Sequence, residues 1–387
     1  MTSTQAIIAE HPNLFKIDDR LNKLVKKIEL LNYVNPINIE QEKRTFFANR
    51  YNSAPNFKYK RIDFDAHKLQ QQLFSQEIDL IEDEESRELY RDVIYDYSGL
   101  IQCIETIGQG KKFYYNVLKS FGTPTDRDVE NARFILHFGD AEYNQEMYPV
   151  FSADEAISYF EEFAKQYDFE LKIRKSTKLS AAAMVKNSSQ EMLLKKNFRY
   201  SANQLKVLAN HEIGIHLVTT YNGMAQPLKI FHNGFPSNVE TQEGLAVFSE
   251  YMSGCLTLYR LKELSYRVLA TDGIHKGFDF CDTFDMLYSQ YKLNREEAFN
   301  IALRAHRGGG FTKDYKYLSG LKKVYDYYQQ GNELDILLAG KVALEYLPII
   351  KQWQESGLAE PIRYPNFAFD VNENKDQTLN FILKNLK

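Results

Sequence analysis

Two histidines and a glutamate lie within one short stretch, NHEIGIHLVTTYNG, which runs from residue 210 to residue 223. Imidazole and carboxylate groups this close together can hold a metal ion, and a glutamate beside the first histidine can act on water next to the ion. His211 and His216 are five residues apart, however, where the usual helical pair of histidine ligands is four apart. On a regular α-helix a spacing of five directs the two rings roughly 140° apart, whereas a spacing of four leaves about 40°.

One widened turn of helix would remove this conflict. A turn with i→i+5 hydrogen bonds, the π-bulge, brings positions five apart onto one face, and such turns are frequent at functional sites. Gly214 lies inside the window and lowers the cost of the distortion because it has no side chain. The sequence therefore predicts a π-turn that aligns His211 and His216 as zinc ligands, with Glu212 as the general base. The alternative is a regular helix on which the two histidines are ordinary core or surface residues.

A third ligand is expected from the segment FPSNVETQEGLAVFSEYMSG further along the chain. A zinc site in a hydrolase uses about three protein ligands and leaves one position open. Ser237 and Glu240 match the S-x-x-E pattern of a capping box, which predicts that a helix begins there. Glu243 would lie in its second turn as the third ligand, followed by Gly244, which permits close helix packing. Glu250 would lie on the same face and support a ligand, and a surface position is the alternative for both glutamates.

The two motifs HEIGIH and TQEGLA resemble those of the bacterial QEGLA-motif proteins, described as modulators of flavohaemoglobin expression. The animal relatives of that family are the microtubule-associated tyrosine carboxypeptidases. The similarity includes NPINIEQEKRTFFANRYNSAPNFKY and GGFTKDYKYLSGL, and it covers most of residues 30–340. It implies a zincin-like metallopeptidase in which His211, His216 and Glu243 bind zinc and Glu212 is the catalytic glutamate. It also implies removal of a C-terminal residue, with an aromatic residue as one candidate.

A carboxypeptidase also needs groups that bind its substrate. Arg307 and Lys313, in the loop HRGGGFTKD, are candidates for the terminal carboxylate, because a guanidinium offers two parallel donors and glycines let a backbone approach. The alternative is a flexible turn with solvated charges. His232 is a candidate oxyanion donor or else a loop histidine. The run SAAAMV, residues 180–185, is a candidate edge strand for peptide pairing or else an ordinary strand.

Hydrophobic periodicity places these residues in a predominantly helical α+β fold. Residues 13 to about 122 are mainly helical in pattern, and SFGTPTDRDVENARFIL marks a boundary with a Gly/Pro turn and a capped helix. We predict a helical N-terminal region at 1–122 and a catalytic domain with a helical C-terminal part at 123–387, and the resemblance implies that this domain is zincin-like. Within the latter, the runs FELKIRK, SAAAMVKN and EMLLKKN have strand character, and the periodic segment 203–221 carries the histidines.

Composition narrows the class of partner. The formal net charge of −4 and the pI near 6.1 give no basic footprint for nucleic acid or an anionic membrane. No apolar run approaches the roughly 18 residues that a membrane span needs. The three cysteines form no C-x-x-C pair, and the N-terminus has no signal-peptide pattern. Composition thus predicts a cytoplasmic protein, and the family resemblance implies that its partner is a peptide or protein C-terminus.

Two other functions are compatible with the same residues. The first is an endopeptidase or aminopeptidase of the same fold, which would use the same zinc and general base. The second is a zinc-binding regulatory protein with an idle peptidase site. Glu212 argues against the second, because a purely structural zinc site needs no general base.

Overall fold

Helices form most of the structure, a computed structural model that describes residues 3–139, 145–177, 179 and 181–387. The predicted predominantly helical α+β fold is confirmed, and so is the helical character of the first third of the chain. The helices of this part are α1 (Ser3–Glu10), α2 (Pro12–Val25), α3 (Leu30–Val34), α4 (Ile39–Ala48), α5 (Ala66–Phe74), α6 (Glu84–Thr106) and α7 (Lys111–Phe121), with a 3₁₀ turn at Ile78–Leu80.

The predicted turn and capped helix follow α7. Gly122 has a φ of 71°, and Thr125 forms a capping box with Asp128 at the start of α8 (Asp126–Leu136). One hydrophobic core continues across this turn, with Phe121 and Val129 both buried in it. The division into 1–122 and 123–387 therefore stays a prediction. A 3₁₀ turn (Gln145–Met147) and helix α9 (Ala153–Ala164) come next.

A small sheet contains the three predicted strand segments. The strands are β1 (Lys172–Ser176), β2 (Ala183–Lys186) and β3 (Glu191–Lys195), and their order in the sheet is β1-β3-β2. β1 is parallel to β3, and β2 is antiparallel to it with Val185 opposite Met192. The turn Asn187–Ser189 joins β2 to β3, so β2 lies at an edge of the sheet. Ser180, the first residue of the candidate pairing run, lies outside the described residues.

The segment with the two histidines is one continuous helical rod with a widened middle. It consists of α10 (Ala202–Leu208), a π-helix (Ala209–Leu217) and α11 (Val218–Ala225). Ser201 and Gln204 form a capping box at its start. The predicted π-turn between His211 and His216 is therefore confirmed, and we call this rod the histidine helix.

The helix that carries Glu243 begins where predicted but not in the predicted way. After α12 (Ile230–Asn233), α13 spans Asn238–Met252, and Ser237 precedes it with a left-handed φ of 58° and no side-chain capping bond. The predicted capping box is wrong because Glu240 has stronger partners elsewhere. Its carboxylate accepts hydrogen bonds from Ser319 Oγ at 2.6 Å and Lys323 Nζ at 2.7 Å.

The rest of the chain is again mainly helical, as the sequence predicts, and the helix Lys316–Gln329 packs against α13. Gly244 and Gly320 let these two helices approach closely, because a Cβ at Gly244 would lie 2.3 Å from the backbone of Gly320. No helix among the described residues is long and apolar enough to cross a membrane. The helices are α14 (Leu258–His275), α15 (Phe280–Asp285), a π-helix (Met286–Gln290), α16 (Arg295–His306), α17 (Lys316–Gln329), α18 (Leu347–Ser356) and α19 (Gln377–Asn385), with 3₁₀ turns at Arg307–Gly309, Thr312–Tyr315, Asp335–Leu338, Leu344–Tyr346 and Phe367–Phe369.

Candidate metal centre

The π-helix turns both histidines toward the same space. The ring centroids of His211 and His216 are 5.0 Å apart, with His211 buried and His216 half-buried. Gly214 lies between them, and its carbonyl oxygen accepts a hydrogen bond from Asn366 Nδ2 at 3.0 Å. A Cβ at Gly214 would lie 3.3 Å from that nitrogen, so the missing side chain gives Asn366 room to hold the widened turn.

Glu243 completes a set of three possible metal ligands. Its Oε2 lies 3.7 Å from His211 Nε2 and 3.8 Å from His216 Nε2, and one ligand atom from each residue falls within 4.8 Å of the others. Oε2 is buried and has no hydrogen-bond partner in the described part of the chain. A buried carboxylate oxygen without a donor is costly unless a cation satisfies it. Two imidazoles and a carboxylate are also the donor set of catalytic zinc sites, so these residues fit a zinc ion.

Lys313 holds the other oxygen of the same carboxylate. Its Nζ lies 2.5 Å from Glu243 Oε1, and both side chains are buried. Burial opposes ionisation of Glu243, but Lys313 and the two histidines hold the pKa of that carboxyl well below its usual range. The loop predicted to contact substrate therefore reaches the centre of the site through Lys313.

Glu250 orients His211 from behind, as predicted for a supporting residue. Its fully buried Oε1 accepts a hydrogen bond from His211 Nδ1 at 2.8 Å, which leaves Nε2 directed at Glu243. Arg260 Nε lies 3.3 Å from the second oxygen of Glu250. Burial lowers the pKa of His211, but the carboxylates of Glu243 and Glu250 outweigh it and raise that pKa to about 9.

Glu212 projects into the same space and is held by the sheet. Its Oε2 accepts a hydrogen bond of 2.9 Å from the backbone N–H of Val185 in β2. The outer edge of β2 therefore faces the site. Burial raises the pKa of Glu212 above its ordinary value, although His211 opposes the shift. A glutamate with a raised pKa is suited to accept and return a proton.

Arg307 lies in a buried group of charges beside the site. One of its terminal nitrogens donates to Asn35 Oδ1, and its Nε has no acceptor among the described residues. Burial and the neighbouring Arg304 lower the pKa of Arg307 to about 10. Arg304 itself forms a two-point ion pair with Asp314. The structure thus leaves one buried donor of Arg307 without a partner in the described chain.

Tyr317 was not predicted from the sequence. Its ring lies almost parallel to that of His211, at 17° and a centroid distance of 6.3 Å. Lys313 Nζ lies 4.9 Å from the centre of the same ring, and the guanidinium carbon of Arg267 lies 5.4 Å from it. The signal in the sequence is weak, because it consists only of a tyrosine about one helical turn after Lys313.

Lys341 was also not predicted from the sequence. It lies 125 residues after His216, whose backbone it contacts. Its buried Nζ donates to the carbonyl oxygen of His216 at 2.9 Å and to Thr219 Oγ1 at 2.8 Å. Burial lowers the pKa of Lys341 to about 7, although Glu243 and Glu212 oppose the shift. The surrounding sequence, LAGKVALEYLP, contains no pattern that would have indicated this role.

His232, the candidate oxyanion donor, lies beside the backbone of Thr220, one turn beyond His216. Burial lowers its pKa, and its Nδ1 has no partner within the described residues. The structure brings together His211, Glu212, His216, Glu243 and Lys313. It does not give His232 a contact with any of these five in the described chain.

Comparison with known proteins gives matches to one family. The family described as "Microtubule-associated tyrosine carboxypeptidase" matches residues 44–387. The chain is 28% identical over 180 residues to the Mus musculus protein "Putative tyrosine carboxypeptidase MATCAP2". It is 26% identical over 213 residues to the Rattus norvegicus protein "Microtubule-associated tyrosine carboxypeptidase 1".

These two matches cover only part of each protein. They span 43% and 51% of this chain, and 33% and 43% of the mouse and rat proteins respectively. The chain thus covers less than half the length of either relative. The family match is broader, since it begins at residue 44 and includes the histidine helix, α13 and the loop with Arg307.

Proposed function

The chain belongs to the microtubule-associated tyrosine carboxypeptidase family, and we propose that it is a zinc-dependent carboxypeptidase acting on a peptide or protein C-terminus. The observation that carries this proposal is the convergence of ligand atoms from His211, His216 and Glu243. Glu212, which is also buried, lies on the same helix as the two histidines. The names of the relatives make tyrosine the first candidate for the residue removed. Other aromatic residues are the next candidates.

Zinc is the proposed metal because of the donors and their support. His211, His216 and Glu243 would hold it, and Glu250 would keep the His211 ring in the correct tautomer. When bound, zinc supplies Lewis-acid polarisation and lowers the pKa of water at its open position to about 7. We also propose a zincin-like fold, supported by the paired histidines on one helix, the glutamate on a second helix and the sheet edge beside them.

Glu212 is the proposed general base. Its carboxylate accepts a proton from the water that attacks the scissile carbonyl and then returns the proton to the leaving amine. The raised pKa of Glu212 favours acceptance of the proton, and the hydrogen bond from Val185 N–H fixes one of its oxygens. Such proton transfer contributes about 10²- to 10⁴-fold to a rate.

The cations of the neighbouring loop are proposed to select a free C-terminus. Arg307 has a buried Nε without an acceptor in the described chain, and Lys313 adds positive charge beside Glu243. A terminal carboxylate bound there would form charge-assisted hydrogen bonds, which are about twice as strong as neutral ones. We further propose that the substrate lies extended along the outer edge of β2, which already faces Glu212.

The first test compares the wild type with Glu212→Gln, using Glu240→Gln as the matched control. Glu240 is on α13 and pairs with Lys323 rather than with the ligand atoms. We expect each protein to bind one zinc per chain and only Glu212→Gln to lose cleavage, by about 10²-fold or more. Peptides ending in Tyr, Phe or Ala, with free or amidated C-termini, would be digested and analysed by mass spectrometry.

Each alternative function predicts a different result in the same digest. Internal cuts, or trimming from the N-terminus, would identify an endopeptidase or aminopeptidase. Zinc binding without cleavage of any peptide would favour a regulatory protein with an idle site. Protein that neither contains zinc nor takes it up would overturn the metal site. The bacterial QEGLA-motif assignment, the cytoplasmic location and the lack of nucleic-acid or membrane partners stay predictions from the sequence.

A further inference from the structure

Lys341 is a buried amine that contacts only uncharged acceptors among the described residues. Its side chain is 5% exposed, and its Nζ bonds to the His216 carbonyl oxygen and the Thr219 hydroxyl. Burying a lysine away from any carboxylate partner costs free energy, because the ammonium loses its hydration. This cost suggests that Lys341 has a role in positioning His216, the proposed metal ligand that it contacts.

Lys341 belongs to a short segment that contacts both ligand-bearing helices. We call residues 340–344 the strap. Gly340 O accepts a hydrogen bond from Gln242 Nε2 at 3.2 Å, and Leu344 N donates to Thr241 Oγ1 at 3.0 Å. Gln242 and Thr241 directly precede Glu243 on α13. The strap therefore binds α13 through two groups and the histidine helix through Lys341.

The strap is itself fixed to α12 and the turn after it, which lie between the two helices. Lys341 N donates to Phe231 O at 2.7 Å, and Phe235 N donates to Lys341 O at 2.9 Å. Gly340 packs so closely that a Cβ there would lie 2.3 Å from the same Phe231 oxygen. These backbone bonds determine where the Lys341 side chain begins, and they leave little freedom for it to follow a displaced histidine helix.

The carbonyl of His216 is the point at which the strap meets the metal site. It accepts hydrogen bonds from Lys341 Nζ at 2.9 Å and from Thr220 Oγ1 at 2.6 Å, where the π-helix returns to an α-helix. Side-chain bonds to helix carbonyls often bend a helix. We propose that Lys341 is a positioning residue, which holds His216 in its ligand orientation through this carbonyl and fixes the histidine helix relative to α13. This inference rests on the proposed metal site.

The test compares Lys341→Met and Lys341→Arg with the wild type, and Lys316→Met is the matched control. Lys316 is a second buried lysine, whose ammonium lies over the ring of Tyr315 and interacts with Glu240 rather than with the histidine helix. Zinc affinity would be measured by competition with a chromophoric chelator, and the site geometry by the absorption spectrum of bound Co²⁺. We expect Lys341→Met to raise the zinc Kd about 10- to 100-fold and to change the Co²⁺ spectrum. Lys341→Arg should recover part of the affinity, and Lys316→Met should leave both readouts unchanged.

A merely structural role for Lys341 predicts a different pattern. In that case the melting temperature of the metal-free Lys341→Met protein would fall while its zinc Kd and Co²⁺ spectrum matched the wild type, and the inference would be overturned. If Lys341→Met does not fold, Thr219→Val provides the second variant. It removes the hydroxyl that Lys341 contacts, which also lies 3.0 Å from Gln242 Oε1, and an unchanged zinc Kd in this variant would overturn the inference. Wild-type protein that binds neither metal would instead refute the proposed function itself, together with this inference.

Discussion

The carboxylate of Glu250 has no exposed surface, and it forms the hydrogen bond that directs His211 Nε2 toward Glu243. Glu250→Gln keeps the size of the side chain but removes the charge that favours a donor at His211 Nδ1. We expect zinc affinity to fall about 10- to 100-fold, the usual effect of losing such a partner. Competition with a chelator would measure it, and an affinity equal to that of the wild type would contradict the orienting role.

Residue types and spacing were sufficient to predict which candidate ligands lie together, but not most of the residues that hold them in place. The five-residue spacing of His211 and His216 required a π-turn, and the structure contains one. The charge that holds Glu243 comes from Lys313, 70 residues away, and only tertiary packing brings the two together. Lys341 and Tyr317 were missed for the same reason, since each reaches the site through a contact that leaves no local pattern.

At the scale of elements, the crossing of α13 and α17 sets the position of Glu243. Gly244→Ala would place a Cβ 2.3 Å from the backbone of Gly320, so the two helices must separate. We expect a loss of about 1–3 kcal/mol in the free energy of unfolding, together with weaker zinc binding because Glu243 is the adjacent residue. Denaturant unfolding and chelator competition would measure the two effects.

Gly139→Ala is the control for this substitution, because a Cβ at Gly139 would meet no atom of the described residues within 4 Å. That variant should match the wild type in both measurements. If Gly244→Ala has the same midpoint of denaturant unfolding as the wild type, the close crossing of the two helices does not constrain the site.

The elements themselves were predicted unevenly. The three strands of the described chain lie in the runs that were predicted to be strands. Their apolar residues and the Asn187–Ser189 turn are local signals, which a sequence shows directly. The start of α13 was assigned to a capping box, but Ser319 and Lys323 of α17 hold Glu240 instead. A local capping pattern predicts where a helix begins, whereas long-range ion pairs decide how its first turn is held.

For the whole molecule, the N-terminal helices are joined to the proposed catalytic part by buried polar contacts. Asp18 of α2 is 2% exposed and accepts hydrogen bonds from the backbone N–H groups of Lys229 and Ile230, which follow the histidine helix. Trp353, the single tryptophan, donates to Ser86 Oγ of α6 at 3.1 Å. Both contacts cross the predicted boundary between 1–122 and 123–387.

These contacts predict that the two regions unfold together. Asp18→Ala would leave buried donors unpaired, so we expect the free energy of unfolding to fall by about 2 kcal/mol or more. Exposed Asp19 provides the matched control, and Asp19→Ala should have little effect. Trp353 fluorescence reports on the boundary, and circular dichroism reports on all helices, so the two denaturation curves should coincide and shift together in Asp18→Ala. Separate transitions, with only one moved by the substitution, would instead support two independently folding units divided near residue 122.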